Sequence, residues 1–217
     1  GPPAARAFVL GGLGAGKSTA IRLCCAHRSG AGDERLGTTQ LLDPLHGSWA
    51  IELAFFEVPA AWRLEDFRRS ATAGPVDCAL IVVDARRRQS FDAALERAPW
   101  PRAIGIRCVF LVSVGACADE SCEVSIDELA SLAEKLSAVQ PAHFDLSAGP
   151  WRHLHLDLLL DMLAIRLAWI CWEEGADGAA GDGSAEVSSG DRRRHGGSGT
   201  HAGAPSGAAA PGPPRCA

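Results

Sequence analysis

Two rhythms of apolar residues alternate along this chain as far as about residue 172: short unbroken runs, and residues recurring at helical spacing. "RAFVL" (6–10) reads as a strand, Gly11 to Gly16 as a loop, and Ser18 to about Arg28 as a helix. "GSWAIELAFFEV" is the next extended segment, with Ile51, Leu53 and Phe55 on one face. "DCALIVVDA" and "RCVFLVSVG" hold apolar runs of strand length, as in strands covered on both faces of a parallel sheet. "SIDELASLAEKLSAV" sets Ile126, Leu129, Leu132 and Leu136 at helical spacing behind a Ser125 cap, with Glu128 in capping-box position. "AHFDL" is a last short strand and "HLHLDLLLDMLAIRLAWICW" a long last helix. This alternation predicts an α/β domain, a mostly parallel sheet with helices on both faces.

The last helix approaches the apolar length of a membrane span, yet it contains Asp157, Asp161 and Arg166. Each would cost about 2.5–3.5 kcal/mol at a bilayer centre, so no transmembrane segment is expected. His153, Asp157 and Asp161 form a narrow polar stripe, which leaves a wide apolar face and a candidate partner contact near Trp169 and Trp172. From about Glu173 the composition turns to Gly, Ala, Ser and Pro, with Val187 the one large aliphatic residue. Such a stretch buries too little apolar surface to offset its ordering entropy. The expected organisation is therefore a domain over 1–173 and a disordered tail over 174–217, whose "DRRRH" is a solvated run or a docking signal.

A formal charge of −5 gives no general attraction to nucleic acid or anionic lipid, and no nucleic-acid partner is expected. The eight cysteines contain no CxxC pair and mostly fall in apolar runs, the pattern of buried free thiols. No charged stretch followed by an apolar one precedes "RAFVL", so the expected location is cytoplasmic; the start at Gly1 leaves room for native residues upstream. The histidines have no metal-ligand spacing to nearby cysteines.

Only Lys17 and Lys135 are lysines among 21 basic residues, so a lysine inside "GGLGAGKS" (11–18), a GxxxxGK[ST] pattern, is informative. In such a loop successive backbone N–H groups turn toward phosphate oxygens, and the following helix adds its positive end. Gly12, Leu13, Gly14, Ala15, Gly16, Lys17, Ser18 and Thr19 are the candidate phosphate-binding residues. Lys17 would reach the β- and γ-phosphates and the Ser18 hydroxyl would ligate Mg²⁺. Kinases, transport ATPases and switch GTPases all share this loop.

The order of later features resembles the Ras-like small GTPases, and their Rab-type branch in particular, over roughly Arg6 to Trp172. "GTTQ" (37–40) stands where that family places its switch threonine, with Thr38 as the equivalent that would close on Mg²⁺ and Thr39 as the alternative. "IELAFFEVPA" is similar to the strand that precedes DxxG, "ALIVVDARRRQSFDAA" to the strand and "SF" helix start, and "EVSIDELASLAEKL" with "HFDLSAG" to the last helix and base-contacting loop. The resemblance implies a Ras-like P-loop domain with GTP or GDP and Mg²⁺ as cofactors, and Glu57 beside Ser18 and Thr38 as metal-site residues. It further implies base contacts at Asp119, Ser147 and Ala148. Its partners would be protein effectors or a transport complex, acting in the cytoplasm, at membrane surfaces or at the cilium.

Several positions depart from the family. DxxG appears as Glu57, Val58, Pro59, Ala60, which lengthens the carboxylate's reach and removes glycine's backbone freedom. Ala61 replaces the glutamine that orients the attacking water, so hydrolysis is expected to be slow or absent. NKxD appears as "ACAD" (116–119): Asp119 keeps the carboxylate, while Ala116 and Cys117 lose the asparagine and the lysine stem. An alignment shifted by two residues puts Cys117 at the aspartate position. Gly149 replaces the lysine after "SA". Cys216 in "RCA" matches neither a CaaX box nor a double-cysteine ending, so no lipid anchor is expected. Asp84 is expected to cap a turn, and Arg86, Arg87 and Arg88 read as a solvated loop or as nucleotide or partner contacts. Three function classes follow: a divergent Rab-like switch or adaptor, a pseudo-GTPase scaffold, and a P-loop kinase or ATPase.

Overall fold

The structure, a computed structural model, describes residues 4–27, 37–42, 50–72, 74, 76–115, 121–136 and 143–180. Its elements run β1 (Ala4–Leu10), α1 (Lys17–His27), β2 (Thr38–Leu42), β3 (Ala50–Glu57), α2 (Leu64–Ala71), β4 (Cys78–Asp84), α3 (Arg88–Arg97), α4 (Trp100–Ala103), β5 (Cys108–Val114), α5 (Ile126–Leu136), β6 (His143–Asp145) and α6 (Arg152–Ala180). The chain divides into two units, Gly1–Ile170 and Cys171–Ala217. The first holds the sheet; in the second the backbone stays helical to Ala180.

The strands form one sheet in the order β2-β3-β1-β4-β5-β6, parallel throughout except for the β2–β3 pair. β4 and β5 are buried along their whole length, as their largely apolar sequences require, Asp84 and Ser113 included. Two apolar clusters cover the two faces. One packs Ala20, Cys24 and Cys25 of α1 and Leu156, Leu159, Leu160, Leu163 and Leu167 of α6 on the sheet. The other packs Phe67 of α2, Phe91 of α3, Trp100 of α4 and Leu129, Leu132 and Leu136 of α5. The α/β reading, with a mostly parallel sheet and helices on both faces, therefore describes the fold.

Local chemistry explains individual elements. Ser125 N donates to Glu128 Oε2 at 3.0 Å and Glu128 N to Ser125 Oγ at 3.2 Å, the expected capping box of α5. Ile126, grouped with the buried leucines by its spacing, is instead 56 % exposed. It sits in the first helical turn, before the apolar stripe has rotated onto the sheet. α2 presents one fully buried side chain, Phe67, against the rings of Phe8 (4.9 Å) and Trp100 (5.8 Å). On α6 the polar stripe is used: His27 Nε2 of α1 lies 2.9 Å from Asp157 Oδ1, and the His27 and His153 rings stack at 5.4 Å. Trp151, Leu154, Leu158 and Trp169 are exposed.

α6 runs past the expected boundary at residue 173, because Glu173, Glu174, Ala176, Ala179 and Ala180 are strong helix formers that outweigh Gly175 and Gly178. Residues 181–217, most of the stretch expected to be disordered, lie outside the described residues. Among the described residues no helix is long and apolar enough to cross a membrane.

Candidate functional site

Every parallel strand delivers its following segment to the same edge of the sheet. β1 leads into Gly11–Gly16, β3 into Val58–Ala61, β4 into Ala85–Arg87, and β6 into Leu146–Ala148. Pairing of Val9 with Glu57, and the 2.9 Å bond from Val58 N to Val9 O, set the end of β3 directly beside the glycine loop. This crevice at the carboxyl ends of strands is where open α/β sheets bind ligands.

The loop conformation depends on its glycines at two points. Gly11 has φ +155° and a Cβ there would lie 2.6 Å from Val82 O of β4, a backbone atom that cannot move aside. Gly16 has φ +89°, with Val114 of β5 filling the space a side chain would need. The loop thus packs tightly on the sheet and turns straight into α1. The leading N–H groups of such a helix have no acceptor within the helix. Leu13, Gly14, Ser18 and Thr19 are exposed, whereas Ala15 and Lys17 are buried.

Lys17 Nζ donates to Gly12 O at 3.0 Å and Gly11 O at 3.4 Å, and lies 3.6 Å from Glu57 Oε1. Burial pushes its pKa down; the Glu57 carboxylate opposes this and the Arg97 guanidinium adds to it. Ser18 Oγ donates to Glu57 Oε2 at 2.6 Å. One carboxylate therefore joins the loop's ammonium and its hydroxyl.

The other expected residues divide. Thr38 opens β2 opposite Ala54, three residues before Glu57 on the neighbouring strand. It stands about 10 Å along the sheet from the Ser18–Glu57 pair at the usual rise per residue. Thr39 pairs with Leu53 and its hydroxyl is buried without a hydrogen-bond partner. Ser147 Oγ contacts both Gly115 O and Asp145 Oδ1, and Ser147 N donates to the same carboxylate at 3.0 Å, which ties the Leu146–Ala148 turn to the end of β5. Ser113 Oγ also reaches Asp145 Oδ1 at 3.1 Å, and His143, whose pKa is lowered by burial, lies 3.0 Å from Ser113 Oγ. Asp119, with Ala116 and Cys117, lies outside the described residues.

The arginines after β4 are exposed, as a solvated run is, and each also has a partner within the fold. Arg86 is bidentate to Asp84 at 3.0 and 3.1 Å, and Asp84 also accepts from Arg86 N, the expected turn cap. Arg88 pairs with Glu128 and Asp92. Arg87 reaches Gly14 O of the loop at 3.3 Å. Arg97 escaped the sequence reading, although its place on the apolar face of α3, with Ser90, Phe91 and Ala94, is the signal that finds it. It is 8 % exposed and donates to Gly11 O and to Ala60 O.

An anionic ligand with Mg²⁺ fits these groups. Lys17 pairs with one half-exposed carboxylate while the buried Arg97 donates to carbonyls, so the loop holds a buried cation beyond the one that Glu57 matches. The Ser18 hydroxyl and Glu57 carboxylate are hard oxygen donors of the kind Mg²⁺ takes when phosphates and water complete its shell. Among the described residues no three His, Cys, Asp or Glu side chains are placed to hold a metal by themselves. No protein-family model and no curated protein matches this chain.

Proposed function

We propose that this chain is a divergent Rab-like member of the Ras-like small GTPases. It would be a GTP- and GDP-binding switch or adaptor that acts through protein partners in intracellular or ciliary transport, with weak or absent hydrolysis. The observation that carries the reading is the convergence of Lys17, Ser18 and Glu57 at the ends of adjacent parallel strands, beneath the first turn of α1. Lys17 and the loop N–H groups would neutralise and orient the polyphosphate, and Ser18 and Glu57 would hold Mg²⁺. When bound, Mg²⁺ supplies the remaining neutralisation of phosphate charge. The Ala61 methyl offers no hydrogen bond to orient a water, and in-line attack loses its positioning group.

A specific observation favours a pseudo-GTPase scaffold as the second reading: the site's polar groups already satisfy one another, Ser18 through Glu57 and Lys17 through the Gly11 and Gly12 carbonyls. Calorimetric titration with GDP, GTP and ATP, with Mg²⁺ and with chelator, separates the readings. Micromolar or tighter guanine-nucleotide binding that needs Mg²⁺ and disappears in Lys17→Ala supports the proposal. Tight ATP binding with phosphate transfer overturns it in favour of a kinase or ATPase, and no nucleotide binding favours the scaffold.

A further inference from the structure

We propose that Arg97 is a latch that holds the segment after β3, Val58 to Trp62, against the glycine loop whether or not a ligand is bound. Buried arginines are normally matched by a carboxylate. Arg97 is 8 % exposed, and it donates to carbonyls: Nη1 to Gly11 O and Nη2 to Ala60 O at 2.5 Å, while Nε is buried without an acceptor. The planar guanidinium reaches the two segments through two separate nitrogens, a fork that lysine's shorter side chain and single nitrogen do not match. Its place is fixed from behind by α3, where it follows Phe91 and Ala94 on the buried face, and by the Trp100 ring, 5.4 Å from its carbon.

The bridged segment has little other freedom. Val58 N is bonded to Val9 O at 2.9 Å, Pro59 has no N–H and a fixed φ, and Trp62 N donates to Pro59 O at 3.1 Å. With Ala60 O held by Arg97, each part of the turn is anchored to β1, to α3 or to itself. A segment that responds to a ligand must have two arrangements separated by a small free energy. The Arg97 bridge removes the second arrangement, because opening would strand a buried guanidinium. The latch itself needs no nucleotide; its consequence, that the segment ignores the γ-phosphate, rests on the function proposed above.

Hydrogen–deuterium exchange of the full chain tests this on the peptide covering residues 58–62, for wild type, Arg97→Met and Arg97→Lys, ligand-free and with Mg²⁺ plus GDP or a slowly hydrolysed GTP analogue. In wild type that peptide is expected to be protected equally in all three conditions. In both variants ligand-free exchange is expected to be roughly tenfold faster or more, the loss of one charge-assisted bond. Methionine keeps the apolar stem of the side chain without stranding a charge, so Arg97→Met should melt within a few degrees of wild type. If it unfolds, Arg97→Lys decides alone. Folded variants that exchange like wild type overturn the latch, as does a wild-type peptide protected only with the triphosphate. If no nucleotide binds, the ligand-free comparison still decides the latch, and only the nucleotide reading falls.

Discussion

Replacing Lys17 by methionine removes the loop's ammonium while keeping a side chain of similar length, and its effects on folding and on binding should part company. In the fold the ammonium makes bonds of 3.0 and 3.4 Å to two carbonyls, and an ion pair of 3.6 Å to a carboxylate that is 41 % exposed. That pair is screened by water and is worth at most about 1 kcal/mol. Against this stands burial, which lowers the Lys17 pKa despite Glu57, so the surroundings as a whole disfavour the charge. An apolar side chain of like volume at such a position is commonly neutral or stabilising, and a gain of up to about 2 kcal/mol is expected. Wild type should gain on the variant as pH rises from the lowered pKa toward 10.5, where the free side chain titrates. Binding should move the other way. A nucleotide at 100 times its Kd stabilises wild type by about 2.7 kcal/mol. For a domain of this size that corresponds to a rise of about 5–11 °C in Tm. Thermal melts with and without Mg²⁺ and GDP should show that rise in wild type and none in Lys17→Met. A variant destabilised by more than about 3 kcal/mol without ligand would refute the electrostatic reasoning. A variant that keeps the full nucleotide shift would remove Lys17 from the site.

Other expectations concern the scaffold. Phe67→Ala empties the fully buried seat between Phe8 and Trp100 and should cost about 3–5 kcal/mol in denaturant unfolding; a cost below about 1 kcal/mol would mean that α2 does not depend on it. The Glu128 carboxyl is held at about 2, against 4.5 for a free group, first by the Ser125 backbone N–H and then by Arg88. Its contribution is therefore complete above pH 4.5 and lost as pH falls toward 2. The stability gap between wild type and Glu128→Gln should close over that window, and a gap constant across it would contradict the assignment. Burial pushes the Cys24 and Cys108 thiols up to about 12, and they should resist alkylation at neutral pH until the chain is unfolded, whereas the half-buried Cys122 reacts earlier. Peptide mapping after brief iodoacetamide treatment checks the order.

The parts of the fold written in long apolar runs are legible, because a strand buried on both faces is mostly apolar; β4 and β5 show this, with Asp84 and Ser113 as their polar residues. The loop and its lysine are legible for a different reason, since phosphate binding demands particular residues at fixed spacing. What escapes depends on distant partners. α2 carries one buried residue and has no apolar period to read. The three arginines after β4 are solvated as the sequence suggests, but their partners Asp84, Glu128 and Gly14 are brought there only by folding. Arg97 violates its helix's apolar pattern, and the violation carries the information: a charge placed on a buried face has a structural task. For Thr38 the order of motifs along the chain does not fix its register on a strand; only the β2–β3 pairing sets it opposite Ala54.

The central claim is that the loop grips a guanine triphosphate and does not break it. A single-turnover experiment tests this most directly: the protein is loaded with γ-labelled GTP and Mg²⁺, free nucleotide is removed, and bound nucleotide is followed with time. The account predicts stoichiometric GTP that stays intact at a rate well below about 10⁻⁴ s⁻¹, slower than an unassisted switch GTPase that keeps its glutamine. Release of phosphate at or above that rate would contradict the role assigned to Ala61, and failure to retain any GTP would contradict the grip itself.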